Sequence, residues 1–192
     1  MRSIGILMLI TVVASGLGCG ARDEPAKTEP AAAPPQITVS TPELLERPFT
    51  ADQIRDEWVE GFELRIRQRS LEGETFERWT VVWADEEAVD IGSVGESASG
   101  DPLGEMEVGR STWVELRDHA SFPAAQTVRE WVTRSTPLGE LYGWLYTVGD
   151  ADGGSFSEFF FAESLPGTPV VYRTVQEGKE VARFEQVERS RP

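Results

Sequence analysis

Cysteine and histidine are almost absent from this chain, which has one of each, Cys19 and His119. Protein zinc sites usually take several cysteine or histidine ligands, so the composition argues against zinc, and a single thiol cannot form an intramolecular disulfide. The fold must therefore be held together by burial of apolar side chains. Six tryptophans and nine phenylalanines are available for that core, and a large aromatic side chain buries on the order of 150–250 Å².

Basic residues are also scarce. Lysine occurs only at positions 27 and 179, and 18 Lys and Arg oppose 33 Asp and Glu, which gives a formal net charge of −15. A polyanion of this kind is repelled by nucleic acid and by anionic lipid head groups. We therefore expect no nucleic-acid partner.

Long hydrophobic runs are missing as well. The apolar segment near the N-terminus, residues 4–13, is shorter than the roughly 20 residues that a membrane-spanning helix needs. It follows Arg2, and small residues lead from it to Cys19, a pattern typical of a cleaved export signal. The segment resembles the lipobox of bacterial lipoproteins. The resemblance implies that Cys19 is diacylated and becomes the mature N-terminus, with ordinary secretory cleavage as the alternative.

The chain divides into three parts. Residues 1–18 are the predicted signal peptide, and residues 19–40 comprise the lipidated Cys19 and a linker rich in Pro, Ala and Glu, which is too polar to order itself. Residues 41–192 have the usual size of one domain. The lipoprotein resemblance implies a location in the bacterial cell envelope, lipid-anchored to a membrane, for which we expect the outer membrane, on either its periplasmic or its surface side.

Two helices are predicted from capping boxes. Thr50 and Gln53 begin a helix from about 51 to 58, and Thr112 and Glu115 begin one from 113 to 120. Elsewhere apolar and polar residues alternate with a period of two, which indicates strands. The predicted strands are 62–67, 75–84, 88–94, 126–134, 141–148, 156–162, 170–175 and 180–187, and residues 95–104 are predicted to form a loop.

Short strands joined by short turns favour an antiparallel meander, because parallel pairs need long crossover connections. We therefore predict a single α+β domain, mostly antiparallel β, in which one curved sheet of about seven to nine strands wraps around one or two short helices. In outline, this half-open, barrel-like arrangement resembles the domains of lipoprotein carriers and lipid-binding envelope lipoproteins. The resemblance concerns architecture and location, and no motif in the domain carries it.

The polar motifs do not assemble into a recognisable catalytic or metal site. His119 has Asp118 beside it, but neighbouring residues on a helix point about 100° apart, so Asp118 is a poor partner for a Ser–His–Asp triad. The segment 150–155 begins like a calcium loop, yet Phe161 stands where the loop would need its final glutamate, and a hairpin turn is favoured. The acidic run 85–107 offers oxygen ligands that hold hard cations weakly, but acidic loops are usually solvated rather than specific sites. We expect no metal, no cofactor and no enzymatic activity.

Aromatic residues on one strand give the main functional signal. Within 141–148, Tyr142, Trp144 and Tyr146 share one face, while Leu141 and Leu145 lie on the other. A strand that is apolar on both faces is either covered on both sides or lines a concave, partly open interior. The first interpretation makes the three aromatic residues part of the core, and the second makes them the candidate ligand-binding residues.

Together these features predict a non-enzymatic, membrane-tethered envelope lipoprotein. Its partners would be the membrane, through the lipid anchor, and either an apolar small molecule or lipid, or an envelope protein, bound by the curved aromatic sheet. An extracytoplasmic hydrolase that uses carboxylates and a purely structural or interaction lipoprotein are the alternatives. A concave apolar cavity would favour ligand binding, whereas two facing buried carboxylates would favour the hydrolase.

Overall fold

The computed structural model describes residues 43–150 and 152–192. The predicted signal peptide, the predicted lipidation at Cys19 and the predicted linker lie outside the described residues. The described chain contains two short helices, one 3-10 turn and nine strands. In chain order these are α1 (Ala51–Glu57), β1 (Glu63–Ser70), β2 (Gly73–Ala84), β3 (Ala88–Glu96), β4 (Glu107–Thr112), α2 (Trp113–Asp118), the 3-10 turn (Ala124–Gln126), β5 (Thr127–Thr136), β6 (Gly139–Asp150), β7 (Ser155–Ala162), β8 (Val171–Gln176) and β9 (Lys179–Ser190).

The strands form one antiparallel sheet in the order β4-β3-β2-β1-β9-β8-β7-β6-β5. Two meanders, β1 to β4 and β5 to β9, meet at the centre of the sheet, where β1 pairs with β9. Strands β4 and β5 lie at the two edges, so the sheet is open. The predicted α+β architecture, a curved antiparallel meander with two short helices, is confirmed.

Both predicted helices begin where the capping boxes place them. The hydroxyl of Thr50 accepts the backbone N–H of Gln53 at 3.2 Å, and the Gln53 side chain accepts the N–H of Thr50 at 2.8 Å. Thr112 and Glu115 make the same reciprocal contacts at 3.2 and 2.7 Å. The helices end slightly earlier than predicted, α1 by one residue and α2 by two.

Strand β4 is the one that the sequence pattern did not predict. It begins at the last residue of the acidic run and contains Gly109 and two charged residues, Glu107 and Arg110, a composition with low strand propensity. Pairing with β3, in which Ala88 lies opposite Thr112, holds it in the sheet. Because β3 extends to Glu96, the loop before β4 starts later than the predicted 95–104.

The helices and the connection from β4 to β5 cover one face of the sheet, called the inner face. This crossing segment, residues 113–126, runs between opposite edges of the sheet. Trp113 and Phe122 anchor it in the main core, to which Ile54 of α1 and Trp58 also belong. No helix in the described ranges is long and apolar enough to cross a membrane.

The opposite, outer face carries a smaller apolar cluster and many ion pairs. Leu145 and Phe160 form the centre of the cluster, and Leu138, in the turn between β5 and β6, packs against them. Arg65 and Glu96 are buried on this face and contact each other at 2.7 Å. Both faces of the sheet are therefore partly covered, which explains why several strands have apolar residues on both sides.

Candidate functional site

The predicted ligand-binding residues Tyr142, Trp144 and Tyr146 alternate along β6 and lie on its inner face. Their environments differ. Tyr146 is fully buried, Trp144 is half-buried and Tyr142 is 56% exposed. The three side chains therefore follow a gradient from core to surface.

Tyr146 is a core residue. Phe122 of the crossing segment stacks on it with ring centroids 4.6 Å apart, and Phe161 meets it edge-on at 5.7 Å. Its hydroxyl donates to the backbone carbonyl of Glu46 at 2.8 Å, so the polar atom is satisfied. Burial raises the pKa of Tyr146, although the positive charge of Arg129 opposes this. The space that a ligand would need at this point is filled by the protein's own rings.

Trp144 lies at the boundary between core and solvent. The guanidinium of Arg129 lies over its ring at 3.6 Å from the centroid, a cation–π contact. Trp131, directly opposite on β5, meets the ring edge-on at 4.9 Å. Glu46 holds Arg129 in place through an ion pair of 2.9 Å. Side chains of the neighbouring strand therefore cover Trp144, rather than a helix.

Beyond Trp144 the inner face is open to solvent. Trp131 is 47% exposed and Tyr142 is 56% exposed, and on the outer face of β5 Val128 is 60% exposed. Single exposed apolar residues are normal, whereas neighbouring ones beside an open sheet edge, as Trp131 and Tyr142 are here, are typical of an interaction surface. We call β5 with these three residues the β5 edge.

The β5 edge lacks several of the usual protections of an edge strand. It is ten residues long, and within the described chain only β6 pairs with it. It contains no proline, glycine or lysine, and proline and lysine commonly prevent edge strands from pairing with other chains. The protection that it does have is the charge of Arg129, Glu130 and Arg134. By contrast, β4 at the other edge has six residues and includes Gly109. The β5 edge is therefore the better suited of the two to accept another strand.

Trp131 lies within the predicted strand 126–134, but nothing in that segment's sequence marks it as an edge strand. The alternation of apolar and polar residues shows which side chains of a strand share a face. The position of the strand in the sheet depends instead on which strands pair. The absence of proline, glycine and lysine from β5 is also found in buried strands, so it does not identify an edge by itself.

The buried carboxylates of the outer face are all paired with arginines. Glu96 accepts hydrogen bonds from Arg65 and Arg78, and Glu185 accepts one from Arg67 at 2.6 Å. These side chains have the environment of structural ion pairs.

Glu158, also on the outer face, is paired with arginines as well. Burial by itself raises the pKa of Glu158, but hydrogen bonds from Arg173 and the charges of Arg173 and Arg134 outweigh burial and hold this pKa below its ordinary value. A general acid that works near neutral pH needs a raised pKa. Glu158 therefore gives no support to the hydrolase alternative.

His119 is not part of a catalytic triad. Its neighbour Asp118 accepts a hydrogen bond from Arg117 at 2.7 Å and lies 3.1 Å from Arg47. The hydrogen bond from Arg117, followed by the charges around it, lowers the pKa of Asp118. Ser121 accepts a hydrogen bond from Arg47 at 3.2 Å. Asp118 and Ser121, both close to His119 in sequence, are thus engaged by arginines.

The calcium-like segment forms a hairpin turn between β6 and β7, as predicted. The carboxylate of Asp150 accepts the backbone N–H of Gly153 at 2.8 Å. Among residues 43–150 and 152–192, no group of three or more His, Cys, Asp or Glu side chains is arranged to hold a metal ion.

Two surface pockets lie away from the aromatic residues of β6. An open pocket of about 300 Å³ lies between the end of α1 and the β2–β3 turn, where Trp58 and Asp85 are among its lining residues. A second, of about 40 Å³, lies on the outer face beside Phe160 and Arg183. Neither pocket is lined by Tyr142, Trp144 or Tyr146.

No family of known proteins matches the sequence, and no curated protein does. Among solved structures, the chain is similar to MucB in its complex with MucA from Pseudomonas aeruginosa (11% identity, TM-score 0.47, covering 73% of this chain and 56% of that chain). It is similar to MucB alone (10%, 0.49, 72% and 56%) and to MucB in complex with MucA(peri) (10%, 0.48, 73% and 55%). The chain thus spans little more than half the length of these proteins. The binding of MucA is a property of MucB, and a likeness this distant carries no conclusion about function.

Proposed function

We propose that the protein is a non-enzymatic lipoprotein of the bacterial cell envelope that binds another protein chain by strand addition at the β5 edge. The observation that carries the proposal is the open edge of β5: within the described chain this ten-residue strand pairs only with β6, and Trp131 on it and Tyr142 beside it are exposed. In strand addition, an extended segment of the partner makes backbone hydrogen bonds to an open edge, and nearby side chains supply specificity. The membrane anchor at Cys19 is part of the proposal and rests on the lipobox resemblance.

A protein partner fits this site better than an apolar small molecule. Small molecules are usually bound in concave pockets that bury most of the ligand surface. In the centre of the inner face, the stacked rings of Phe122 and Tyr146 occupy the space. The exposed aromatic surface around Trp131 lies instead at the margin of the sheet. Of the two kinds of partner predicted from the sequence, an envelope protein is therefore favoured over a lipid or other apolar small molecule.

The test is site-specific photocrosslinking in the native envelope. A photoreactive phenylalanine analogue replaces Trp131 or, as a control, Val108 on the opposite edge strand, residues that are 47% and 53% exposed. We expect one adduct of defined mass from position 131 and none from position 108. The adduct should disappear when Thr133→Lys is added, since lysine on an edge strand hinders strand addition. Equal adducts from both positions, or none from position 131, would contradict the proposal.

A further inference from the structure

We infer that the strand accepted at the β5 edge is β5 of a second copy of this chain, so that two sheets continue into one another across a twofold axis. The inference rests on the proposed function, because it names the partner of the same edge. It is carried by the charges of β5, which are Arg129, Glu130 and Arg134, and by the geometry of antiparallel pairing.

Twofold symmetry limits the possible registers. When one strand pairs antiparallel with a copy of itself, the two residue numbers of every directly opposite pair add up to the same value. Directly opposite side chains point to the same face, and residues on one face of a strand are an even number of positions apart. The sum must therefore be even, and a residue lies opposite its own copy on the axis. In the middle of β5, the residue on the axis is Glu130, Trp131, Val132 or Thr133.

Only the register centred on Val132 matches opposite charges. There Glu130 of each copy lies opposite Arg134 of the other, which creates two cross-strand ion pairs. The register centred on Glu130 places two glutamates opposite each other. The registers centred on residues 131 and 133 place Arg134 opposite a valine. Since like charges directly opposite destabilise a strand pair and unlike charges stabilise it, the charges of β5 select Val132 as the centre.

The other pairs in this register are favourable. Trp131 lies opposite Thr133 of the second copy, and an aromatic residue opposite a β-branched one stabilises antiparallel strands. Val128, which is 60% exposed in the single chain, lies opposite Thr136. Arg134 contacts Glu158 at 3.3 Å and keeps an exposed fraction of 38%, and a guanidinium has five N–H donors, enough for a second carboxylate.

A single strand pair is a small interface, below the size of most stable dimers in solution. Two chains tethered to the same membrane have a high effective concentration, which favours pairing without further contacts. The test therefore uses the full-length chain in its native membrane.

Disulfide crosslinking tests the register. In the predicted dimer, Val132→Cys places two thiols opposite each other at a Cα separation of about 4.5–5.5 Å, inside the range for a disulfide. Val128→Cys is the matched control, because it lies on the same strand and face but its two copies are roughly 26 Å apart. Under mild oxidation we expect at least about tenfold more dimer from Val132→Cys than from Val128→Cys. The wild-type chain controls for Cys19.

A second crosslink covers the case in which Val132→Cys disturbs folding. The double variant Val128→Cys/Thr136→Cys should also form the dimer, because the thiol at position 128 of each copy lies opposite the thiol at position 136 of the other. Val128→Cys alone should not form it. Equal crosslinking of Val128→Cys and Val132→Cys would indicate random collision and would overturn the inference.

Charge exchange tests the ion pairs. Glu130→Arg should lower crosslinking through Val132→Cys by about tenfold, because two unlike pairs become like-charge pairs. Adding Arg134→Glu should restore it, whereas the control Glu140→Arg, at an exposed position on β6, should leave it unchanged. Failure of the double exchange to restore crosslinking would contradict the register.

The two proposals fail in different ways. If the photoadduct at position 131 has a mass other than that of two chains and no Val132→Cys dimer forms, the inference of self-pairing is wrong and the proposed function stands. If neither the photoadduct nor the dimer forms, both are wrong.

Discussion

Phe122 should be the residue that fastens the crossing segment to the sheet. It is 5% exposed, and its ring lies 4.6 Å from that of Tyr146, 5.0 Å from Phe159 and 6.2 Å from Phe161. Truncating a buried phenylalanine removes its transfer free energy and leaves a cavity, so Phe122→Ala should lower the free energy of unfolding by about 3–5 kcal/mol. Phe122→Leu keeps most of the volume and should cost only about 1.5 kcal/mol.

Urea denaturation followed by tryptophan fluorescence measures these differences. We expect the midpoint to fall for Phe122→Ala with an unchanged slope, because the surface exposed on unfolding stays nearly the same. Leu71→Ala is the control, since Leu71 is 84% exposed in the turn between β1 and β2 and should change the stability by less than about 0.5 kcal/mol. A loss below about 1 kcal/mol for Phe122→Ala would refute the conclusion that this ring stack anchors the segment.

Three further outcomes are expected. Thr50→Ala removes the N-cap of α1 and should cost about 1 kcal/mol, measured as a lower urea midpoint. The folded state lowers the pKa of Glu158 below its ordinary value of 4.5. The ionised Glu158 side chain therefore contributes its full stabilisation when the pH is above 4.5, and this contribution is lost as the pH falls through the lowered pKa of the folded state. Glu158→Gln should therefore be less stable than wild type at pH 7 and lose less stability on acidification, and parallel curves of stability against pH would contradict this. Cys19→Ala should release the protein from membranes and block processing, and an unchanged membrane fraction would count against lipidation.

The features that sequence analysis predicted well are those that depend on near neighbours. The start of α1 depends on contacts between Thr50 and Gln53, and that of α2 on contacts between Thr112 and Glu115, so each is encoded in four residues. The strands followed from alternation in the same way. Strand β4 was missed because only its pairing with β3 makes Glu107–Thr112 extended.

The burial of the aromatic residues on β6 could not be predicted from local sequence patterns. Alternation places Tyr142, Trp144 and Tyr146 on one face, but Tyr146 is buried because Glu46 and Phe122, distant in sequence, lie over it. Tyr142 is exposed because the covering segments do not extend to that end of the strand. One pattern of residues thus contains both a core position and a surface position, and the strand order decides which is which.

The central position of β9 has a consequence for how the chain folds. Each meander forms from strands that follow one another closely, whereas the pairing of β1 with β9 brings Glu63 opposite Ser190. Contacts between such distant residues are slow to form, because a long loop must close first. Until β9 is in place, β1 and β8 each have an open edge that becomes internal in the finished sheet. Open strand edges of this kind make partly folded chains prone to aggregate. Strand β9, the last of the nine strands in chain order, is therefore the one that removes these temporary edges.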